Sequence, residues 1–289
     1  MLSFIDYNVR IGKEHGSMRG KGRWLAAFFC LSVLCMTPLL SGFVINLAKI
    51  QKKPVLAENM EKFRQMEVAA ERLKGYREWG EKEYFQLARE YLYYDGKIKK
   101  HCKKVSSFSW YSVLMPDGMI RDYAKTFQVI LSDIRCFPVA KDPYGKESVY
   151  YEDSWGNSRN YGGRRLHEGT DIMTSNNVPG YFPIVSVCDG VVEKKGWLRL
   201  GGYRLGIRAS GGAYFYYAHL ASYADGIEQG SVVKAGQVIG YMGNTGYGKE
   251  GTVGKFDVHL HFGIYITAGK KEVSVNPFEV LRLTDKIRI

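Results

Sequence analysis

The hydrophobic pattern changes character three times along the chain. Residues Trp24 to Ala48 (WLAAFFCLSVLCMTPLLSGFVINLA) run 25 residues without a charge. About 20 apolar residues at a rise of about 1.5 Å each cross a hydrocarbon core, so this segment is expected to be a transmembrane anchor helix. A signal peptide fits less well, because its apolar run is about 7 to 15 residues and ends in small residues. Here Lys49, Lys52, Lys53 and Pro54 follow instead. From Leu56 to Tyr94 the apolar positions fall at helical spacing: Leu56, Met60 and Phe63, then Ala70 and Leu73, then Tyr84, Leu87, Tyr91 and Tyr94, with Gly75 and Gly80 as interruptions. Two amphipathic helices are expected, either standing the following domain off the membrane or packing on it. A further helix is expected from Asp117 to Ser132. Beyond Cys136 the texture becomes short apolar runs between Gly and Pro, namely PIVSVCDGVV, YRLGIRA, AYFYYAHL, QVIGYMG and VHLHFGIYI. That pattern predicts an antiparallel β domain with many turns.

The expected organisation is therefore a basic tail (1–23), an anchor (24–48), a helical arm or linker (49–134) and a mainly β domain built as an antiparallel sheet or sandwich (135–289). Composition agrees, since 45% hydrophobic and 24% charged residues are ordinary globular values, and 21 Tyr with 33 Gly suit a turn-rich β protein. The formal charge of +12 calls for an anionic partner such as nucleic acid, a membrane surface or a wall polymer. The β domain holds 19 basic and 15 acidic residues, so +8 of the total lies before residue 135. A nucleic-acid reader would carry its basic stripe on the folded domain, and that class is set aside. The run Lys97 to Lys104 is a solvated loop that can touch anionic lipid or wall polymer. The basic residues on either side of the anchor nearly balance, so the positive-inside rule leaves orientation open.

Four of the six histidines fall in the β domain: His167, His219, His259 and His261. In VHLHFGIYI the period of two puts His259 and His261 on one strand face, with Asp257, and turns Leu260 and Phe262 to the other. LHEGTDIM superficially suggests a helical HExxH with Glu168 as base. Asp171 stands where that motif needs its second histidine, and Gly169 and Thr170 are poor helix formers. On an extended segment His167 and Asp171 can still converge on one ion. Two imidazoles and a carboxylate are a common catalytic zinc set with one position left open, and zinc lowers the pKa of a bound water toward about 7.

At these residues the chain resembles the LytM/lysostaphin-type zinc metallopeptidases of bacterial cell walls. The resemblance is carried by SWGNSR, HEGTDI, PIVSVCDGVV, YYAHL, VKAGQVIGYMGNTG, HLHF and VNPFEVL, in order over about residues 135–283. It implies that His167, Asp171 and His261 bind zinc, that His219 and His259 are the catalytic pair, and that a zinc-activated water attacks peptide bonds of peptidoglycan. The sequence departs from the common pattern at Phe256, Asp257, Val258 and Gly263, which bears on substrate preference. The family also includes members that have lost ligands and act as scaffolds or activators; all five residues are present here. Because peptidoglycan lies outside the cytoplasmic membrane, the resemblance implies a cytoplasmic tail and an extracytoplasmic peptidase domain. A protein partner or self-association through the arm is a further possibility for that segment. Cys102, Cys136 and Cys188 would then lie outside, an odd number that permits at most one internal disulfide.

Overall fold

The structure is a computed structural model that describes residues 60–106, 115–142, 144–160 and 163–289. The chain divides into two compact units, residues 1–55 and 56–289, and the description below concerns the second. The expected anchor, Trp24 to Ala48, lies outside the described residues; among those described, no helix is long and apolar enough to cross a membrane.

The helical part is shorter in its first half than the spacing predicts. Helix α1 spans only Met60–Arg64, followed by single 3₁₀ turns at Ala70–Arg72 and Tyr76–Glu78. Gly75 at φ +80° and the extended Gly80 break the path, and α2 then runs Glu81–Tyr93. Its start is capped by Glu83, whose carboxylate accepts the Gly80 N–H at 2.8 Å. Helix α3 covers Asp117–Leu131, within a residue of the predicted span. Phe63, Tyr91, Tyr123 and Phe127 draw the three helices together, with ring centroids 5.1 to 5.6 Å apart. The apolar stripe therefore packs inward. The arm also docks on the β domain: Ala70 N–H donates to Glu279, and Asn276 N–H donates to Arg64 O.

The β domain comprises β1 (Val149–Tyr151), β2 (Ser158–Arg159), β3 (Arg165–Leu166), β4 (Thr170–Thr174), β5 (Pro183–Val185), β6 (Gly190–Leu198), β7 (Gly202–Ala209), β8 (Tyr214–Tyr223), β9 (Val232–Val233), β10 (Val238–Met242), β11 (His259–Ala268) and β12 (Lys271–Val275), and ends in helix α4 (Phe278–Thr284). Strands β2 and β3 form a small hairpin sheet, and the other ten join one antiparallel sheet whose main path is β1-β4-β11-β8-β7-β6-β9. Strict alternation packs one face: Ile172, Leu260, Phe262, Phe215, Tyr217, Leu205 and Ile207 are all buried. The opposite face of β4, β11 and β8 carries the chemistry.

Strand β8 changes partner halfway. Tyr214 to Ala218 pair with β11, and Leu220 to Tyr223 pair with β10, with the register slipping against β7 over the same stretch. At this junction His219 takes φ +63°, a left-handed conformation that costs a non-glycine residue about 1 kcal/mol or more. The inserted residue breaks the alternation. Tyr217 and Leu220 remain in the core, while Ala218 and His219 both face away from it. Cys102, Cys136 and Cys188 are all free thiols, and burial pushes Cys188 up to about 12.

Candidate metal and catalytic site

The register of the central strands assembles the cluster. His261 on β11 lies directly opposite Asp171 on β4, so both side chains leave the sheet on the same side. His167 sits in the connection before β4 and folds back over it. The result is a triangle of donor atoms: His167 Nε2 lies 3.0 Å from Asp171 Oδ1 and 2.9 Å from His261 Nδ1, and His261 Nδ1 lies 3.0 Å from Asp171 Oδ1. His167 Nδ1 donates to Ser154 O at 2.9 Å, which leaves the Nε2 lone pair aimed into the triangle. A lone pair, a carboxylate oxygen and a second imidazole nitrogen at this separation need positive charge between them. The three residues therefore fit a dication such as zinc, and their ligand atoms lie within 4.8 Å of one another.

Electrostatics point the same way. Burial opposes a charge on Asp171, but its contacts with His167 and His261 outweigh burial and hold the carboxyl far below the usual carboxylate range. Its second oxygen accepts from Arg159 Nη2 at 2.6 Å. Burial lowers the pKa of His261 and of His259, and lowers that of His219 well below the ordinary imidazole value. Neutral imidazole is the form that can ligate a metal or accept a proton.

His259 and His219 stand beside the triangle, with ring centroids 4.7 Å apart. Each is oriented through Nδ1, which donates to Asp257 O at 2.8 Å in His259 and to Thr245 O at 2.7 Å in His219. Their Nε2 atoms make no hydrogen bond among the described residues, and His259 Nε2 lies 3.8 Å from Asp171 Oδ1. Phe256 packs on both rings at 4.6 and 5.0 Å, and Tyr247 closes the same wall. The site opens into a groove of about 870 Å³.

All five residues singled out in the sequence meet in this groove. Asp257 does not join them: it is exposed, its carboxylate accepts from Asn177 Nδ2, and only its backbone carbonyl serves the site. Strand β11 begins only at His259, so the period of two does not extend back to residue 257. Glu168 turns to Arg64 of the arm, 2.9 Å away, and is no general base for the cluster. The supporting groups Ser154, Thr245 and Arg159 lie in the segments SWGNSR and VKAGQVIGYMGNTG, but their roles are not legible there, since two act through backbone carbonyls and the third across a hairpin.

Gly169 shows why HEGTD contains a glycine. A Cβ there would lie 2.6 Å from His261 Cε1 and Nε2 and 2.6 Å from the Phe262 carbonyl oxygen. Backbone on one side and a ligand ring on the other leave no room to yield. Gly169→Ala is expected to push His261 off the triangle and to cost about 1 to 3 kcal/mol in overpacking. Zinc titration should show weaker binding by at least about tenfold, and wild-type affinity would show that the ring has slack.

Comparison with known proteins places these residues in a family. The model of peptidase family M23 matches residues 165–277. The L-Ala--D-Glu endopeptidase of Bacillus subtilis strain 168 is 48% identical over 186 residues, 63% of this chain and 55% of that protein. Lysostaphin of Staphylococcus staphylolyticus is 28% identical over 119 residues, 40% of this chain and 22% of that one. The chain thus spans about half the length of the first curated relative and less of the second. A crystal structure from Ruminococcus gnavus ATCC 29149, given the provisional name glycyl-glycine endopeptidase LytM, superposes with a TM-score of 0.69 at 43% identity, covering 82% of this chain and 95% of that one. The HEGTD and HLHF residues lie inside the family match, and the chain belongs to peptidase family M23, the LytM/lysostaphin-type peptidases.

Proposed function

We propose that this protein is a membrane-anchored zinc endopeptidase that hydrolyses peptide bonds of bacterial peptidoglycan. The observation that carries the reading is the convergence of His167 Nε2, Asp171 Oδ1 and His261 Nδ1 beside two imidazoles whose Nε2 atoms make no hydrogen bond among the described residues. Bound zinc supplies Lewis acidity and lowers the pKa of a coordinated water toward about 7. The chain's own residues do the rest. His259, held by Asp257 O, takes up a proton at Nε2 from the attacking water, and the leaving amine receives that proton; His219, held by Thr245 O with its lone pair at Nε2, is a second acceptor beside it and donates to the developing oxyanion and the leaving amine only once it has been protonated there. Arg159 holds the second oxygen of Asp171 and so orients the carboxylate. The scaffold alternative is not favoured, since a binding module has no chemical need for this set.

The names of the relatives support a wall peptide as substrate. An external substrate, together with the charge-free run from Trp24 to Ala48, supports a single-pass topology with the peptidase domain outside the cytoplasmic membrane. Protease added to wall-stripped cells should then remove the domain, and a fully protected chain would refute the topology. The activity is tested by incubating the full chain in detergent with zinc and intact peptidoglycan and identifying released muropeptides by mass. New amino termini in the peptides are expected; their absence with a zinc-loaded protein would end the proposal.

A further inference from the structure

The acidic and basic side chains that line the groove do not balance. Four carboxylates face it, and each already has a cationic partner. Glu168 pairs with Arg64 at 2.9 Å, Asp171 with Arg159 at 2.6 Å, Glu193 with Arg208 at 2.6 Å, and Glu272 with the same Arg208. Arg165 and Arg204 line the same groove and have no ion pair among the described residues. Arg165 makes one long contact, from Nη2 to Tyr247 Oη at 3.4 Å. Arg165 Nε and Arg204 Nη1 are shut off from solvent without an acceptor among the described residues. A charged donor that has lost water and gained no partner is costly, and such groups in native structures call for an explanation.

Their placement supplies one. Arg165 lies opposite Arg159 across the β2–β3 hairpin, hence on the face from which Arg159 reaches Asp171. Arg204 lies on β7, next to β8. Both guanidinium charges act on the Tyr216 hydroxyl, and the Tyr216 ring packs against His261 with centroids 5.9 Å apart. Two guanidiniums without an ion pair among the described residues thus line the same groove as the His167–Asp171–His261 triangle.

We infer that Arg165 and Arg204 form a carboxylate-recognition subsite, and that the substrate class is an acidic peptide with a free carboxylate next to the scissile bond, not a neutral glycyl bridge. The inference rests on the peptidase reading above. Because the reacting centre works on a peptide, the anion belongs to that peptide. The planar fork of a guanidinium accepts a carboxylate through two parallel hydrogen bonds, which lysine cannot reproduce. Glutamate linked through its side chain leaves such a carboxylate beside the bond, and converting it to the amide removes the charge while keeping the shape.

The test compares two synthetic peptides containing L-Ala–γ-D-Glu–L-Lys, one with the free α-carboxylate and one with the α-carboxamide, on the full zinc-loaded chain in detergent. The acid should be cleaved with a kcat/KM about 10- to 100-fold above the amide, expressed mainly in KM, as expected for one charge-assisted hydrogen-bonded contact. Arg165→Gln and Arg204→Gln should each shrink that ratio to within a few-fold of unity, with unchanged zinc content as the control for folding, and Arg165→Lys should retain part of it. Equal kcat/KM for acid and amide in the wild type, or an undiminished ratio in both glutamine variants, would overturn the inference. Calorimetric binding of the two peptides separates this from failure of the peptidase reading. Tighter binding of the acid that is lost in both variants, without cleavage, upholds the subsite and ends the endopeptidase proposal; equal binding ends the subsite.

Discussion

Alanine at His167, Asp171 or His261 should remove the metal and with it at least about three orders of magnitude of turnover, because Lewis-acid stabilisation of the transition state amounts to several kcal/mol. Elemental analysis of the wild type should find about one zinc per chain, and each variant should lose most of it. The sheet should survive. His261 and Asp171 project from one face of β11 and β4, whereas the opposite face is sealed by Leu260, Phe262 and Ile172. The variants should not be equivalent in stability without metal. Asp171→Ala leaves Arg159 facing two imidazoles with no carboxylate between them, so a modest loss of stability is expected there. For His167→Ala or His261→Ala, removing a ring relieves crowding around the remaining two groups. Full zinc content in all three variants would refute the ligand assignment.

His219→Ala and His259→Ala should keep the zinc yet lose about 10²- to 10⁴-fold in kcat, the usual contribution of a positioned acid or base. Near-wild-type cleavage by either variant would remove that histidine from the mechanism. The pH profile gives an independent check. Burial holds both imidazoles below their ordinary pKa, His219 the further of the two. Activity that needs a neutral His259 should therefore persist as pH falls through about 6.5 and fail only below it. Stability follows the same direction. A histidine whose folded pKa is depressed binds fewer protons folded than unfolded, so stability is full above the unfolded value of about 6.5 and declines as pH falls below it. Denaturant midpoints measured from pH 8 to 5 should drop on the acid side. In the His219→Ala variant that drop should be shallower, and an identical slope would mean that His219 titrates normally.

Much of this site is legible in the linear chain because its two main segments are regular. A strand places every second side chain on one face, so HLHF alone predicts that His259 and His261 share a face opposite Leu260 and Phe262, as they do. Failure of the helical reading of HEGTD is equally local, since Asp171 and Gly169 exclude it. Helix α3 follows from its apolar spacing and the proline beyond it. The first arm helix fails for a reason that apolar spacing does not encode: the chain turns left-handed at Met66 (φ +48°) just after Arg64, and Gly75 breaks the path again further on.

Other features depend on contacts between distant residues. His219 reaches the groove because β8 exchanges β11 for β10 at that residue and the backbone takes φ +63°, which no pattern within YYAHL encodes. The orientation of the His259 and His219 imidazoles comes from carbonyl oxygens of Asp257 and Thr245, groups that every residue possesses and that only the fold can aim. Charge pairing is decided in the same way: composition counts cations and anions, but only the assembled groove shows that Arg208 takes two glutamates while Arg165 and Arg204 take none among the described residues. The sequence by itself determined which residue types are available and, where the backbone is regular, which of them share a face. The tertiary structure decided which of those groups lie within 3 Å of one another, because bulges, strand exchange and ion pairing are set by packing between segments 94 and 104 residues apart in the chain.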